Sequence, residues 1–430
     1  MNRRDFIKDT ALMAGLTWLG DWQKAYARGT KEAGVGQPWH GWKPGQFQVH
    51  FIYTGVAESM FIIMPDGTTM LLDCGDHDAI GRSKRVAVLP NADRHSGEWI
   101  SRYILRVNPR GKDVDYMMLS HYHIDHGGCS FFNAGIVEHE DGPYPLSGFS
   151  QAAEYLTFHK AIDRSWPTYD DPIVMQRDPS GWAHIRRFYD YMTAQRNLQV
   201  EKYRLGATDQ IVLKRQPHKY HDFTVRNICA NGRICASDGT VRDLYADRIA
   251  REHPISLNEN GMSLGLVFSY GPFRFFTAGD FSDGWTLPDG THFEIEDALA
   301  DVCGKADVAK VNHHGHYSMP GKLVAALQAR VWVSCVWDQL HNVPPVMKRL
   351  TDRSIYPGDR IVCPGIMPTE RRTEDAGAPW LQDVASSSFD GGHVVLNVER
   401  GGRNYSITYL TAADESMTVR SVMKFKASKK

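Results

Sequence analysis

Met117-Met118-Leu119-Ser120-His121-Tyr122-His123-Ile124-Asp125-His126-Gly127-Gly128 is the stretch whose reading decides the fold. An apolar run from Tyr116 to Leu119 stops at Ser120. Within the next six residues come His121, His123, Asp125 and His126, closed by two glycines. The apolar run predicts a buried strand that feeds a loop. Three imidazoles and a carboxylate on that loop supply the nitrogen and oxygen donors that zinc accepts. His121 and His123 face the same way if extended geometry continues through them, leaving Tyr122 and Ile124 on the other side. Asp125 and His126 follow after the chain turns and address a second, nearby point. A loop of this kind suits two adjacent metal ions and the chemistry of a hydrolase. An isolated histidine is by default a surface or core residue, but four donors packed into six residues read as ligands.

The run His121-Tyr122-His123-Ile124-Asp125-His126 resembles the His-x-His-x-Asp-His signature of the metallo-β-lactamase superfamily. The resemblance implies an α/β protein, a four-layer αβ/βα sandwich, with a dinuclear metal site at one edge of two facing sheets. It does not imply lactam hydrolysis, because the fold hosts many hydrolases. Gly55-Val56-Ala57-Glu58-Ser59, the apolar run after it and Pro65-Asp66-Gly67 narrow the resemblance. They look like the opening of the subgroup that contains the hydrolase domains of DNA-uptake competence proteins and bacterial phosphorylcholine esterase.

The same resemblance implies roles for residues further along. Asp73, at the end of a strand, matches the acid that supports the metal loop by hydrogen bonds. Asp280, in Ala278-Gly279-Asp280, matches the carboxylate that bridges both metals. Asn312-His313-His314-Gly315 resembles the subgroup's His-His-Gly signature. Adjacent side chains on a strand point oppositely, so at most one of the pair is expected to ligate. His314 is taken as the ligand and His313 as the group that meets substrate or braces the site, the reverse assignment staying open. His341, shortly before Pro344, matches a histidine near the subgroup's active site and is a candidate for binding or protonating the leaving group. One metal would then be held by His121, His123 and Asp280, the other by Asp125, His126, Asp280 and His314. Two zinc ions are expected, with manganese or iron as alternatives. They would acidify a bridging water, which Asp125 orients while ligating. Asp125, His313 and His341 are thus the expected catalytic residues. Many superfamily members add a third histidine to the first metal. His139, His159, His184, His218, His221 and His253 are the available ones, but the subgroup commonly lacks this ligand and none is assigned.

The 430 residues are compatible with two or three domains or with one large sandwich, and 42% hydrophobic with 23% charged residues is an ordinary globular balance. A net charge of −1 supplies no global field to recruit nucleic acid or an anionic membrane. No apolar run reaches the length of a transmembrane helix. Asn2-Arg3-Arg4-Asp5-Phe6-Ile7-Lys8, a mildly apolar run over 10–20 and Ala25-Tyr26-Ala27 resemble a twin-arginine export signal. The other reading is an amphipathic first helix. Export would make the protein periplasmic or secreted, with residues 1–27 removed from the fold. Seven cysteines, an odd number with no Cys-x-x-Cys spacing, argue against a full disulfide framework.

The expected organisation is a linker at 28–45, one hydrolase domain at 46–415 with an insertion at about 130–255, and a basic, solvated tail at 416–430. Strands are predicted over 47–53, 59–64, 69–73, 264–270, 274–277 and 331–337, with a closing hairpin from 391–397 and 405–410. Helices are predicted over 97–108, capped by Ser96 and buried through Trp99, Tyr103, Ile104 and Val107, and over 151–161 and 185–195. Asn231-Gly232 signals a hairpin over 223–236 that sets Cys229 opposite Ile234. The expected reaction is hydrolysis of a phosphodiester or phosphomonoester, in a small molecule or a cell-envelope component. Trp166, Tyr169, Trp285 and Trp337 either line a pocket for its organic group or pack in the core. A nuclease would call for a basic groove interleaved with aromatics, which this neutral sequence does not display. A lactonase or other ester hydrolase would use the same metal site, and a non-catalytic zinc-binding protein would hold metal without turnover.

Overall fold

The structure, a computed structural model, describes residues 34–55, 57–76, 86–128, 137–174, 179–246, 258–282, 285–286, 292–293, 295–337 and 340–428. The expected export signal and His253 lie outside these residues. Strands β1 (Phe47–Phe51), β2 (Ser59–Ile63), β3 (Thr69–Cys74), β4 (Asp113–Met118), β5 (Thr157–Asp163) and β6 (Gln199–Lys202) come first. Then follow β7 (Phe223–Ala230), β8 (Arg233–Cys235), β9 (Val241–Asp243), β10 (Gly265–Tyr270), β11 (Phe273–Ala278), β12 (Val308–Lys310), β13 (Val331–Ser334) and β14 (Ile361–Pro364). β15 (Gly392–Val398), β16 (Asn404–Thr411) and β17 (Val419–Lys426) close the chain. One sheet has the order β17-β16-β15-β1-β2-β3-β4-β5-β6 and the other β9-β8-β7-β10-β11-β12-β13-β14.

Alternation along the strands explains the layering. In β2, Met60 and Ile62 enter the core between the sheets while Phe61 and Ile63 enter a second core outside. In β13, Val331 and Val333 face inward and Trp332 outward. Strands apolar on both faces need cover on both. Helices α1 (Ser96–Val107) and α3 (Pro179–Arg196) cover the first sheet through Ile100, Ile104, Ile185 and Phe188. Helices α4 (Ile295–Cys303), α5 (Gly321–Leu327) and α6 (Pro344–Thr351) cover the second through Leu299, Leu323 and Met347. The result is the four-layer αβ/βα sandwich of the metallo-β-lactamase fold. β3, β4 and β5 run parallel, as do β11 to β14, so each set ends its strands at one edge of its sheet. No helix among the described residues is long and apolar enough to cross a membrane.

The hairpin at Asn231-Gly232 forms, with φ of 53° and 74°, and pairs Cys229 with Ile234. Other expectations are corrected. The segment 151–161 is not one helix: a single turn over Phe149–Ala152 gives way to β5, which takes the open edge of β4. The cap of α1 is His95, with no side-chain hydrogen bond, and Ser96 is already helical. The described part of the segment expected as an insertion at about 130–255 is built into the sandwich, supplying β5 and β6 to one sheet and β7 to β9 to the other. The basic C-terminus is no solvated tail either: β17 pairs along β16. Its Lys424 and Lys426 are exposed on an edge strand, where lysine discourages further pairing. The expected linker docks on the same strand, through Gly36 N to Val419 O at 2.8 Å and Trp39 N to Met417 O at 3.0 Å.

Candidate metal centre

The loop after β4 does not continue as a strand. It bends at Ser120–Tyr122, His123 caps the N-terminus of a one-turn helix α2 (Ile124–Gly127), and that turn carries Asp125 and His126. His121 and His123 meet through the bend, Nε2 to Nδ1 at 3.0 Å, rather than through strand alternation. Asp73 shapes the loop from the end of β3. One of its carboxylate oxygens accepts from Ser120 N at 2.7 Å and the other lies 2.8 Å from His126 Nδ1. Tyr122 turns away, its hydroxyl donating to Asp163 at 2.7 Å and its amide to Glu259 at 2.9 Å. Gly75 admits the loop at all: a Cβ there would stand 1.8 Å from the Asp125 carbonyl oxygen.

From the second sheet, Asp280 follows β11, its amide donating to Ser263 Oγ at 3.0 Å. β12 ends at Lys310, before the histidine pair, so the alternation argument does not apply there. His313 and His314 sit instead in left-handed conformations, φ 47° and 49°. Such geometry costs a non-glycine residue about 1–2 kcal/mol and must be held by its surroundings. Glu296 holds it, accepting from Asn312 Nδ2 at 2.8 Å and from Met319 N at 3.0 Å. The turn aims His314 into the cluster, while His313 faces Ser282 Oγ at 3.1 Å and Asn260 Nδ2 at 3.3 Å. The His341 ring stands 4.9 Å from that of His314.

His126 Nε2 and His314 Nε2 lie 3.0 and 3.1 Å from the same Asp280 oxygen, 3.3 Å from one another, and His314 Nε2 is 3.4 Å from Asp125 Oδ2. Two donors bound at about 2.0–2.2 Å to one tetrahedral ion lie roughly 3.3–3.6 Å apart, so this set would admit a cation once the two contacts to Asp280 open by a few tenths of an ångström. The His121 ring adjoins it, 4.2 Å from that of His126. Asp280 Oδ1 is buried without a hydrogen bond among the described residues, with the Lys310 ammonium 3.9 Å away.

The electrostatics agree. Burial alone would push His126 and His314 down, yet Asp280, with Asp73 on the first and Asp125 on the second, holds both well above the usual histidine value. Against the same burial, the facing imidazoles keep Asp280 and Asp125 ionised far below the carboxylate range. His121 is driven down by burial and by its histidine neighbours, which leaves a neutral ring with a lone pair to donate. A metal would take the place of the protons on His126 and His314.

Two residues in the centre escaped the sequence reading. Glu58, fully buried, lies 3.1 Å from His314 Nδ1, and Lys310, also fully buried, lies 3.0 Å from Glu58. The available signal was a lysine in the apolar strand Val308-Ala309-Lys310-Val311, where a buried charge demands a partner. The remaining histidines keep company elsewhere: His139 with Glu154 at 3.2 Å, His159 with Asp113 at 3.1 Å, and His184 beside Tyr144. His218 and His221 are exposed. Tyr169 and Trp337 belong to the outer cores, and Trp166 packs on one of them. The side chain of Trp285 lies outside the description. The exposed aromatic near the histidines is Tyr317, its ring 4.7 Å from His316.

Residues 53–132, from the end of β1 through the metal loop, match the family model of the metallo-beta-lactamase superfamily. That match agrees with the four-layer sandwich described above, and Glu58, His126, Asp280 and His314 form a group placed to hold a metal ion. Similar solved structures include a mutant of CmlA beta-hydroxylase, 11% identical, with 74% of this chain and 53% of that one covered at a TM-score of 0.37. The chain thus spans about half the length of that protein. Another is Tm1679, a metal-dependent hydrolase of the beta-lactamase superfamily, 13% identical, with 74% and 96% covered at a TM-score of 0.35. A third is Zn(2+)-bound PqqB from Methylobacterium extorquens, 12% identical, with 64% and 75% covered at 0.28. Among curated proteins, none matches the sequence.

Proposed function

We propose that this protein is an exported, binuclear metal-dependent phosphoesterase acting on a small-molecule or cell-envelope ester. The observation that carries the hydrolytic reading is the convergence of His126 and His314 on one Asp280 oxygen at the edge where both sheets end their parallel strands. His121, His123 and Asp280 would hold one ion, and Asp125, His126, Asp280 and His314 the other. The donor set is imidazole and carboxylate, which suits zinc first and also manganese or iron. When bound, such ions supply Lewis-acid polarisation of the ester or phosphoryl oxygen and a water acidic enough to serve as nucleophile at neutral pH. Asp125 is the least enclosed carboxylate of the cluster, 23% exposed, and faces incoming substrate, where it orients the nucleophile. His313, lowered to about 4 by burial, is neutral and held between Ser282 and Asn260, ready to hydrogen-bond a substrate oxygen. His341, neutral for the same reason, stands beside His314 to engage the leaving group. The exposed Tyr317 ring offers that group an apolar face.

Phosphoester specificity draws its support from the likeness of Gly55–Ser59 and His313-His314-Gly315 to the competence and phosphorylcholine-esterase subgroup. Export draws its support from Arg3-Arg4 and Ala25-Tyr26-Ala27. The test is metal content per chain together with turnover of bis(p-nitrophenyl) phosphate, with Asp280→Ala as control. About two ions and control-sensitive turnover are expected. Metal without phosphodiester turnover would move the substrate to lactones or other carboxyl esters, and no metal in protein purified without chelators would overturn the reading.

A further inference from the structure

The structure assigns Glu58 and Lys310 to the metal centre as a positioning pair: Glu58 orients His314 through its Nδ1, and Lys310 balances the charge Glu58 brings. The inference rests on the metal-site reading above. Glu58 Oε2 is 3.1 Å from His314 Nδ1, on the side of the ring away from Asp280, and both side chains are buried. Neither atom has a hydrogen bond among the described residues, and each faces the other as an ion-pair partner at that distance. An imidazole that gives its Nδ1–H to a carboxylate presents a bare Nε2 lone pair, here toward Asp280, Asp125 and His126.

Glu58 is placed for this by its backbone. Its amide donates to the Asp125 carbonyl at 2.7 Å, and its carbonyl accepts from Gly75 N at 3.0 Å. One residue of the β1–β2 connection therefore ties α2, the end of β3 and His314 together. A lone carboxylate at this depth would be costly. Lys310 Nζ offsets it at 3.0 Å, donates to Ala278 O at 2.8 Å and stands 3.9 Å from Asp280 Oδ1. Aimed at the strand end that leads to Asp280, it also explains a lysine in a fully buried strand.

Two double variants of equal charge and similar volume isolate the orienting role. Glu58→Leu/Lys310→Met removes the acceptor, whereas Glu58→Gln/Lys310→Met keeps an oxygen for His314 Nδ1. Zinc affinity is measured by competition with a chromophoric chelator, with folding checked by near-ultraviolet circular dichroism. The leucine double is expected to bind zinc roughly 10–100-fold more weakly than wild type, the usual effect of removing a partner that orients a ligand. The glutamine double is expected to recover most of that loss. Two doubles that bind alike, in a wild type that binds, overturn the inference alone. A wild type that binds no zinc overturns both the inference and the metal-site reading. Should either double fail to fold, nitrogen-15 NMR of the zinc-loaded wild type decides. A slowly exchanging His314 Nδ1–H is expected, and an unprotected or absent one overturns the assignment.

Discussion

Behind the metal loop lies a buried ion pair whose removal gives a quantitative test of how the loop is held. Arg164 and Glu259 are each 2% exposed. The guanidinium grips the carboxylate with two bonds, Nε to Oε1 at 2.9 Å and NH2 to Oε2 at 2.7 Å. Oε1 also accepts the Tyr122 amide at 2.9 Å, and the guanidinium lies 4.2 Å over the Tyr122 ring. In Glu259→Leu the guanidinium keeps, as hydrogen-bond acceptors among the described residues, the Asn231 side chain and the Asp171 carbonyl, at 3.0 and 3.1 Å. Leaving one member of a buried pair uncompensated costs about 3–5 kcal/mol, the orphaned Tyr122 amide included. In Arg164→Met/Glu259→Leu both charges are gone and the chief loss is the acceptor for Tyr122, about 1–3 kcal/mol. The double variant should therefore be more stable than the single one by roughly 2 kcal/mol, measured by urea unfolding at fixed pH. A single variant within about 1 kcal/mol of wild type, or a double no more stable than the single, would refute the reasoning.

Three more outcomes follow from the same geometry. Asp73→Asn keeps the shape but weakens the hold on His126 Nδ1, so zinc affinity should fall roughly 10–100-fold in a chelator competition; an unchanged affinity would remove Asp73 from the centre. Gly75→Ala should displace α2 and abolish zinc binding, because its Cβ would collide with the Asp125 carbonyl; retained stoichiometry would show the backbone can give way. His50 and His393 are both lowered to about 3, mainly by burial, and Tyr53 N donates to His393 Nδ1, which requires a neutral ring. Between pH 3 and the unfolded value near 6.5 the unfolded chain binds more protons, so stability falls as pH falls through that window. The slope is at most about 1.4 kcal/mol per pH unit for each ring. Urea midpoints at pH 7 and 4 read it, and His393→Phe should flatten the decline.

What the sequence by itself determined was local. The apolar run into His121–His126 places a strand and a donor-rich loop side by side because both depend only on neighbours in the chain. The buried face of α1 and the Asn231-Gly232 turn were legible for the same reason. Ordered motifs at Asp73, Asp280 and His313-His314 added candidate residues through likeness alone. Tertiary structure decided what depends on distant partners. The segment 157–163 is a strand because β4 has an open edge to fill, and 419–426 is one because β16 has another. The conformation of His313 and His314 was hidden because left-handed backbone is imposed by Glu296 and its partners, not by the two histidines. Glu58 and Lys310 show the limit most plainly. In sequence one is an acid in a loop and the other a lysine in a strand. They belong to the metal centre only because two sheets, closed over a common core, bring them within 3.0 Å of one another.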